Sequence, residues 1–508
     1  MTLSRRNLLQ IAAAAAASGS LSAPAAAQTK SINIGLSSAA AMLDLVRTSS
    51  GPDFEVVRQI FDTLLTRNEE TGEFTPNLAT SWRLVDDVTW QFKLREGVTF
   101  HNGEPFNAEA VAFSVMRYLK PELKSPHAGV LSFIEKVDVI DASTVNIVTK
   151  KPYPVFLVHM AVGSTGMIII MPPKYIAEKG DDNFAKNPVG TGPYRFIRAV
   201  PGSSITLESN EAYWRGKPAI TQVNYRFVPE NSTRVSALIA GDLDIIENVP
   251  TDLIGLIEKS GKAKVAVSET SGLCLMMQLN PASHPALANK QVRKAMNHAV
   301  DIDTILKSLL GGRVNRRALP VYPGAVAAKK DLPLYKYDPA LAKKMLADAG
   351  YAKGFELDAF TSNGRYAADY AIAQAYVEYL GEVGIKVNLR PMEWATLVGN
   401  MAKRQAGPMY QIGWSFREGD VFKLKAALHP ASPYSTFQNA EFGALIDQAE
   451  VTMVPEKRAE LWGKAQELLL DEAPFIHAWQ PFDLYGAANR VAWKQPIVPM
   501  FIFDMDLK

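Results

Sequence analysis

Cysteine is almost missing from this 508-residue chain: Cys274 stands alone, so no intrachain disulfide is possible. Stability must come from buried core, which so long a chain can supply; it exceeds the roughly 100 to 200 residues of one domain, so two or more lobes are expected. Cys274 sits in "GLCLMMQL", an apolar stretch that marks it as a small core residue rather than a nucleophile. Long hydrophobic runs are missing too. The longest candidate, "MIIIMPP", ends at a proline pair, short of the roughly 20 residues that span a bilayer.

A charge excess is also absent. The chain holds 54 Lys and Arg against 52 Asp and Glu; without residues 1–27, which contain Arg5, Arg6 and no acid, the balance is 52 to 52. Nucleic acid or an anionic membrane surface would call for a basic excess, so neither is expected as a partner.

Catalytic and metal motifs fail one by one. Seven histidines at 101, 127, 159, 284, 298, 429 and 477 include no pair at ligand spacing, and there is no His-Glu-x-x-His or calcium-loop pattern. "NPVGTGPYRF" puts Pro193 and Tyr194 where a dinucleotide loop needs a third glycine and a helix. "VGSTG" lacks the Gly-x-Ser-x-Gly order of a nucleophile elbow. No catalytic residue, metal or cofactor is assigned, and the chain does not read as an enzyme.

What is present begins with the leader. "MTLSRRNLLQIAAAAAASGSLSAPAAAQ" combines a twin-arginine n-region, a modest apolar stretch and a small-residue cleavage site ending at Ala27. Residues 1–27 read as a twin-arginine signal peptide, so an exported, soluble, periplasmic protein is expected.

Helices and strands then alternate without a repeat, which calls for a layered α/β architecture. "VTWQFKLREGVTFHNG" alternates Trp90, Phe92 and Leu94, turns at Glu96-Gly97 and resumes at Val98 and Phe100, a hairpin pattern. "PFNAEAVAFSVMRYL" is a helix capped by Asn107, with Val111, Val115 and Tyr118 on one face. "DPALAKKMLADAG" is a helix with Asp338 as cap and Gly350 past its end. "YAIAQAYVEYLGEVGIKVNLRPM" is helix then strand. No long Gly/Ser linker separates the parts, so the lobes are expected to be joined by strands.

Several stretches together carry a resemblance: "TPNLATSWRLVDDVTWQFKLREGVTFHNGEPFNAEAVAFSVMRY", "NPVGTGPYRF", "NKQVRKAMNHAVDIDTIL", "YQIGW" and "APFIHAW". In order and spacing they resemble the extracellular solute-binding proteins of family 5, the peptide-, opine- and nickel-binding receptors of ABC importers. The resemblance covers essentially the whole mature chain. It implies a two-lobed periplasmic binding protein clamp of class II type, with an extra subdomain inserted in lobe I. Lobe I would collect 28–48, 186–270 and 478–508, the inserted subdomain 49–185, and lobe II 271–477, with hinge strands near 271–279 and 474–482. Gly190 and Gly192 would shape a backbone turn, and Trp82, Trp90 and Phe92 would be core. It also implies a monomer that binds a peptide or small molecule, closes about its hinge and docks on an inner-membrane permease.

In the family's peptide receptors a tryptophan is followed three residues later by an aspartate that pairs with the peptide's amino group. Here Trp414 matches the tryptophan and Arg417 stands at the aspartate position. A buried cation there would repel an ammonium and offer a planar fork to a carboxylate or phosphate. Phe416 and Trp414 could stack on the ligand or brace the guanidinium. Asp420 or Glu418 could instead neutralise Arg417 internally. The resulting expectation is an anion-bearing solute: an opine-like conjugate, an acidic or phosphorylated sugar, or a peptide with an extra carboxylate. Asn363, Arg365 and Tyr366 of "TSNGRY", and Ser37 and Ser38 after the first strand, are the further expected contacts. Two other classes stay open: a secreted α/β hydrolase, and a periplasmic chaperone or sensory binding protein.

Overall fold

The computed structural model describes residues 30–68, 71–161, 167–269, 272–321, 327–415, 422–493 and 500–508. The expected leader, Phe416, Arg417, Glu418 and Asp420 lie outside these residues. No helix among them is long and apolar enough to cross a membrane.

The chain opens with β1 (Ser31–Leu36) and α1 (Gly51–Ile60). Four antiparallel strands follow, β2 (Ala79–Asp86), β3 (Thr89–Leu94), β4 (Ile134–Asp141) and β5 (Thr144–Thr149), with α2 (Ala108–Arg117) between the pairs. Asn107 caps α2 by accepting from Ala110 N at 3.0 Å, and Val111, Val115 and Tyr118 are fully buried. Next come β6 (Tyr194–Val200), β7 (Ser204–Ser209), β8 (Gln222–Phe227), α3 (Asn231–Ala240), β9 (Ile245–Ile246) and β10 (Ala263–Ser268).

The second half holds β11 (Leu273–Leu279), β12 (Val314–Arg317), α4 (Pro339–Asp348), β13 (Phe355–Thr361), α5 (Asp369–Glu382), β14 (Ile385–Pro391), α6 (Trp394–Ala402) and β15 (Met409–Ser415). Then α7 (Phe422–Leu428), α8 (Ala440–Val451) and α9 (Pro455–Glu472) lead to β16 (Phe475–Pro481) and β17 (Asp483–Ala488). Asp338 caps α4 through Leu341 N at 2.8 Å.

Two mixed sheets organise two α/β lobes. The first has the order β10-β17-β9-β1-β8-β7-β6 and the second β12-β16-β11-β15-β13-β14; β2-β3-β5-β4 form a separate sheet. That third sheet shares a continuous core with the first, in which Phe92, Val145 and Ile147 join Ile32, Ile34 and Tyr225.

The hairpin expected to turn at Glu96-Gly97 is formed differently. β3 pairs with β2 across a turn in which Val88 N donates to Asp86 Oδ1, and on its other side with β5. Val98 and Phe100 are buried but form no strand; Thr99 makes only an isolated bridge to Pro105. Alternating apolar residues before and after a glycine mark two buried stretches equally well whether or not they pair.

β11 explains why "LCLMMQL" is apolar throughout. Leu275, Met277 and Leu279 face a core with Ile372, Tyr376 and Leu380, while Cys274 and Met276 face another with Leu397, Trp462 and Leu469. A central strand covered on both sides loses the polar alternation of a half-exposed one. Each such side chain contributes roughly 1.5–3 kcal/mol by leaving water. Burial pushes the Cys274 thiol up to about 12, so it is no nucleophile at neutral pH.

Two antiparallel strand pairs carry the chain between the lobes. β10 pairs with β17 from Ala263↔Ala488 to Ser268↔Asp483 in the first sheet, and β11 pairs with β16 in the second, with Leu275 opposite Trp479. Ser268, where the chain leaves the first sheet, is thus paired with Asp483, where it returns after Phe482, so the two crossings start side by side at the first sheet. β16 keeps its pairing with β12 as far as Val314↔Pro481, so the expected boundary between 477 and 478 falls inside a strand of the second sheet, and residues 478–481 belong to it.

Gly190 and Gly192 serve close approach. A Cβ on Gly190 would lie 2.1 Å from the Ile60 carbonyl oxygen, and one on Gly192 would lie 2.6 Å from its carbonyl carbon. Gly192 N donates to that oxygen at 2.9 Å, which ties the turn to the end of α1.

Candidate functional site

Strand direction fixes where the loops gather. β15 pairs antiparallel to β11 with Ser415 opposite Leu273, so β15 ends where β11 leaves the inter-lobe crossing. β13 runs parallel to both β15 and β14, so the loops after β13 and β14 emerge at that same end. In the first sheet β9 runs antiparallel to β17, which begins at Asp483 beside the crossing, and β1 runs parallel to β9. Ser37 and Ser38 therefore leave β1 at the crossing end as well. Both lobes present the carboxyl ends of parallel strands to the gap between them, the position where open α/β sheets bind ligands.

In the second lobe these loops enclose an open cavity of about 450 Å³, lined by Ser362–Arg365 and Pro391–Trp394. The first loop is wound around a buried carboxylate. Asp369 Oδ1 accepts from Gly364 N and Tyr370 N, and Oδ2 accepts from Arg365 N, Tyr366 N and Ser362 Oγ, all within 3.2 Å. The second is fixed by Glu393, which caps α6 by accepting from Ala395 N and Thr396 N at 2.9 Å. Those backbone donors hold its carboxyl below the usual range.

The loops deliver a cation backed by two rings. The Arg365 guanidinium carbon lies 5.1 Å from the Trp394 ring centre and 5.4 Å from that of Tyr366. The rings meet edge to face, 5.6 Å apart at 83°. Tyr366 Oη accepts from Gly413 N at 3.0 Å, which clamps the loop to β15 one residue before Trp414. Burial chiefly raises the Tyr366 pKa, so it stays a neutral phenol. Arg365 is exposed, and among the described residues no carboxylate lies at ion-pair distance from it.

Asn363, Arg365 and Tyr366 are thus in one loop, the first two on the cavity wall. Trp414 is half-buried and packs edge-on against Tyr434 at 5.8 Å. Ser37 is engaged inside its own lobe: its N and Oγ both donate to Glu247 Oε1, at 2.8 and 2.7 Å, and its Oγ accepts from Asn248. Ser38 is exposed. Phe416 and Arg417 lie outside the described residues. Sequence reading missed Trp394 and Glu393, for which the proline-led "PMEW" at a strand end was the available signal, and Asp369, seven residues past Ser362.

Among the described residues no cluster of three or more His, Cys, Asp or Glu could hold a metal. Two histidines serve the fold: half-buried His101 is pushed down to about 4 and buried His477 to about 3, in each case chiefly by desolvation.

The description "Bacterial extracellular solute-binding proteins, family 5 Middle" matches residues 73–426. The chain is 28% identical over 453 residues to heme-binding protein A of Haemophilus influenzae, covering 82% of this chain and 81% of that one. It is 28% identical over 412 residues to the glutathione-binding protein GsiB of Escherichia coli O157:H7, covering 78% and 79%. Among solved structures, the binding protein MoaA of A. tumefaciens R10 in complex with mannopinic acid superposes with a TM-score of 0.75 at 26% identity, covering 94% of this chain and all of that one.

Proposed function

The chain belongs to the bacterial extracellular solute-binding proteins of family 5, and on that premise we propose that it captures an anion-bearing solute between its two lobes for an ABC importer. The solute is a peptide with a free carboxylate or a small opine-like, acidic or phosphorylated molecule. Capture closes the lobes about the strand pairs β10–β17 and β11–β16, because a ligand that touches both sides binds the closed form better. The closed monomer then hands its cargo to a membrane permease. In this reading residues 1–27 direct export to the periplasm by the twin-arginine route.

One observation carries the ligand class: Arg365, exposed at the cavity wall and backed by Trp394 and Tyr366, has no acidic partner among the described residues. A guanidinium held against rings keeps its donor edge open, and each charge-assisted hydrogen bond to a carboxylate is worth roughly 1.5–3 kcal/mol. Arg417, two residues beyond Ser415 in sequence, would add a second fork, with Trp414 and Phe416 as stacking surfaces. The ligands named for the similar proteins support this chemistry, since heme, glutathione and mannopinic acid all carry carboxylates.

Calorimetric titration with ligand pairs that differ only in one carboxylate, free acid against amide, tests the reading on wild type, Arg365→Ala and Arg417→Ala. The acid should bind wild type more tightly, and the preference should shrink in the variants. Equal affinities throughout would remove it.

A further inference from the structure

Among the described residues, one ion pair joins the body that carries the third sheet to the second lobe. Lys151 Nζ lies 3.1 Å from Glu450 Oε2. The partners stand on different bodies, each firmly held. Lys151 follows β5, where Thr149 Oγ1 donates to the Lys151 carbonyl, Lys150 N donates to Phe133 O, and Tyr153 stacks on Phe133 with ring centres 4.0 Å apart. Glu450 sits in the last turn of α8, whose Phe442, Ile446 and Ala449 pack into the second lobe's core.

Glu450 is already partnered within its own lobe. Lys425 of α7 reaches the same Oε2 at 2.8 Å and Asp447 Oδ1 at 3.0 Å, and His429 faces Asp447 at 3.3 Å. Burial raises the Glu450 pKa, but hydrogen bonds from Lys425 and Lys151 outweigh it and keep the carboxylate ionised. The Glu450 side chain is 12% exposed and that of Lys151 52%. Lys151 is therefore a second cation on a carboxylate that Lys425 would keep paired without it.

We propose that Lys151 and Glu450 form an electrostatic latch across the gap between the lobes, one that favours the arrangement in which the two side chains meet and weakens with salt. Neither residue lies on the crossing strands, so rotation about those strands pulls the pair apart while their ladder stays intact. The pair is half in water, so its strength falls as the screening length shrinks below about 10 Å above 0.1 M salt. The inference rests on the lobes moving about the crossing strands, not on which solute they enclose, and the carboxylate calorimetry tests that other matter separately.

The test is single-molecule energy transfer between fluorophores on exposed positions of the two bodies, introduced by Glu135→Cys and Glu441→Cys; Cys274 is buried and escapes labelling. At about 20 mM salt, Lys151→Glu should lower the population of the latched arrangement relative to all others two- to five-fold, as expected for a partly exposed pair, and Lys151→Arg should leave it near wild type. Raising salt to about 500 mM should move wild type toward the Lys151→Glu distribution. Identical distributions for the three proteins at low salt would overturn the latch, as would a Lys151→Arg shift equal to that of Lys151→Glu.

Discussion

Arg365 occupies the corner between two rings, 5.1 Å from the centre of Trp394 and 5.4 Å from that of Tyr366, and the rings themselves meet at 83°. A planar guanidinium fits such a corner; a lysine ammonium keeps the charge but loses the stacking plane and the two-pronged donor edge. Arg365→Lys should weaken binding of a carboxylate ligand about three- to thirty-fold, and Arg365→Ala about ten- to a hundred-fold, following from roughly 1.5–3 kcal/mol per charge-assisted bond. Trp394→Ala should fall between them, because it loosens the cation without removing it. Titration calorimetry measures all three, and a Lys variant indistinguishable from wild type would show that charge alone suffices.

Asp369 holds the whole loop from Ser362 to Tyr366. Its carboxylate accepts from four backbone N–H groups and one hydroxyl while 2% exposed. Asp369→Asn replaces half of that acceptor with an NH2 facing donors, so at least one buried N–H is left unpaired. The expected loss is about 2–4 kcal/mol in urea unfolding, with weaker ligand binding, because whichever oxygen is replaced, the loop that carries Arg365 loses a backbone anchor. Ser362→Ala, which removes one neutral bond, should cost about 1 kcal/mol.

The contrast between Asp369 and Asn107 shows what the sequence made legible. Asn107 and Asp338 cap regular helices at a standard offset, and their bonds to Ala110 N and Leu341 N are the ones their spacing calls for. Asp369 acts backwards, on a loop with no periodicity, so nothing in its spacing announces it. Other elements fared likewise: α5 and β14 follow their apolar periods, whereas the partner of β3 turned on long-range pairing with β5 that no local pattern encodes. Lys151 and Glu450 are 299 residues apart, and only the packed lobes bring them together.

Two glycines separate steric need from backbone need. Gly192 has ordinary φ but no room, with a Cβ reaching 2.6 Å from the Ile60 carbonyl carbon; Gly97 has open space and a φ of +74°. Gly192→Ala must push the 190–192 turn off α1 and break the Gly192 N bond to Ile60 O, at an expected cost of about 2–4 kcal/mol. Gly97→Ala carries only the left-handed penalty, about 1 kcal/mol. Urea midpoints of the two variants should rank in that order, and equal midpoints would mean the turn yields freely.

Acid should weaken the fold through two histidines that it holds neutral. His477 lies inside β16, where Nε2 faces Val300 O and Nδ1 accepts from Arg316; burial first, then that cation, push its pKa down to about 3. His101, against Gly192 O, is pushed down to about 4 by burial and then by Arg195. Both stay neutral in the folded chain below pH 6.5, whereas in the unfolded chain they take up protons there. Unfolding thus gains protons between pH 6.5 and 4, and stability falls with acidification by about 1.4 kcal/mol per pH unit for each histidine. Above pH 6.5 neither contributes a slope. Between pH 6 and 5, before most carboxylates titrate, His477→Asn should flatten the slope of unfolding free energy by about one proton relative to wild type. Asparagine suits the substitution because it tolerates the residue's φ of 48°. Parallel slopes for the two proteins would mean that His477 takes up its proton without unfolding.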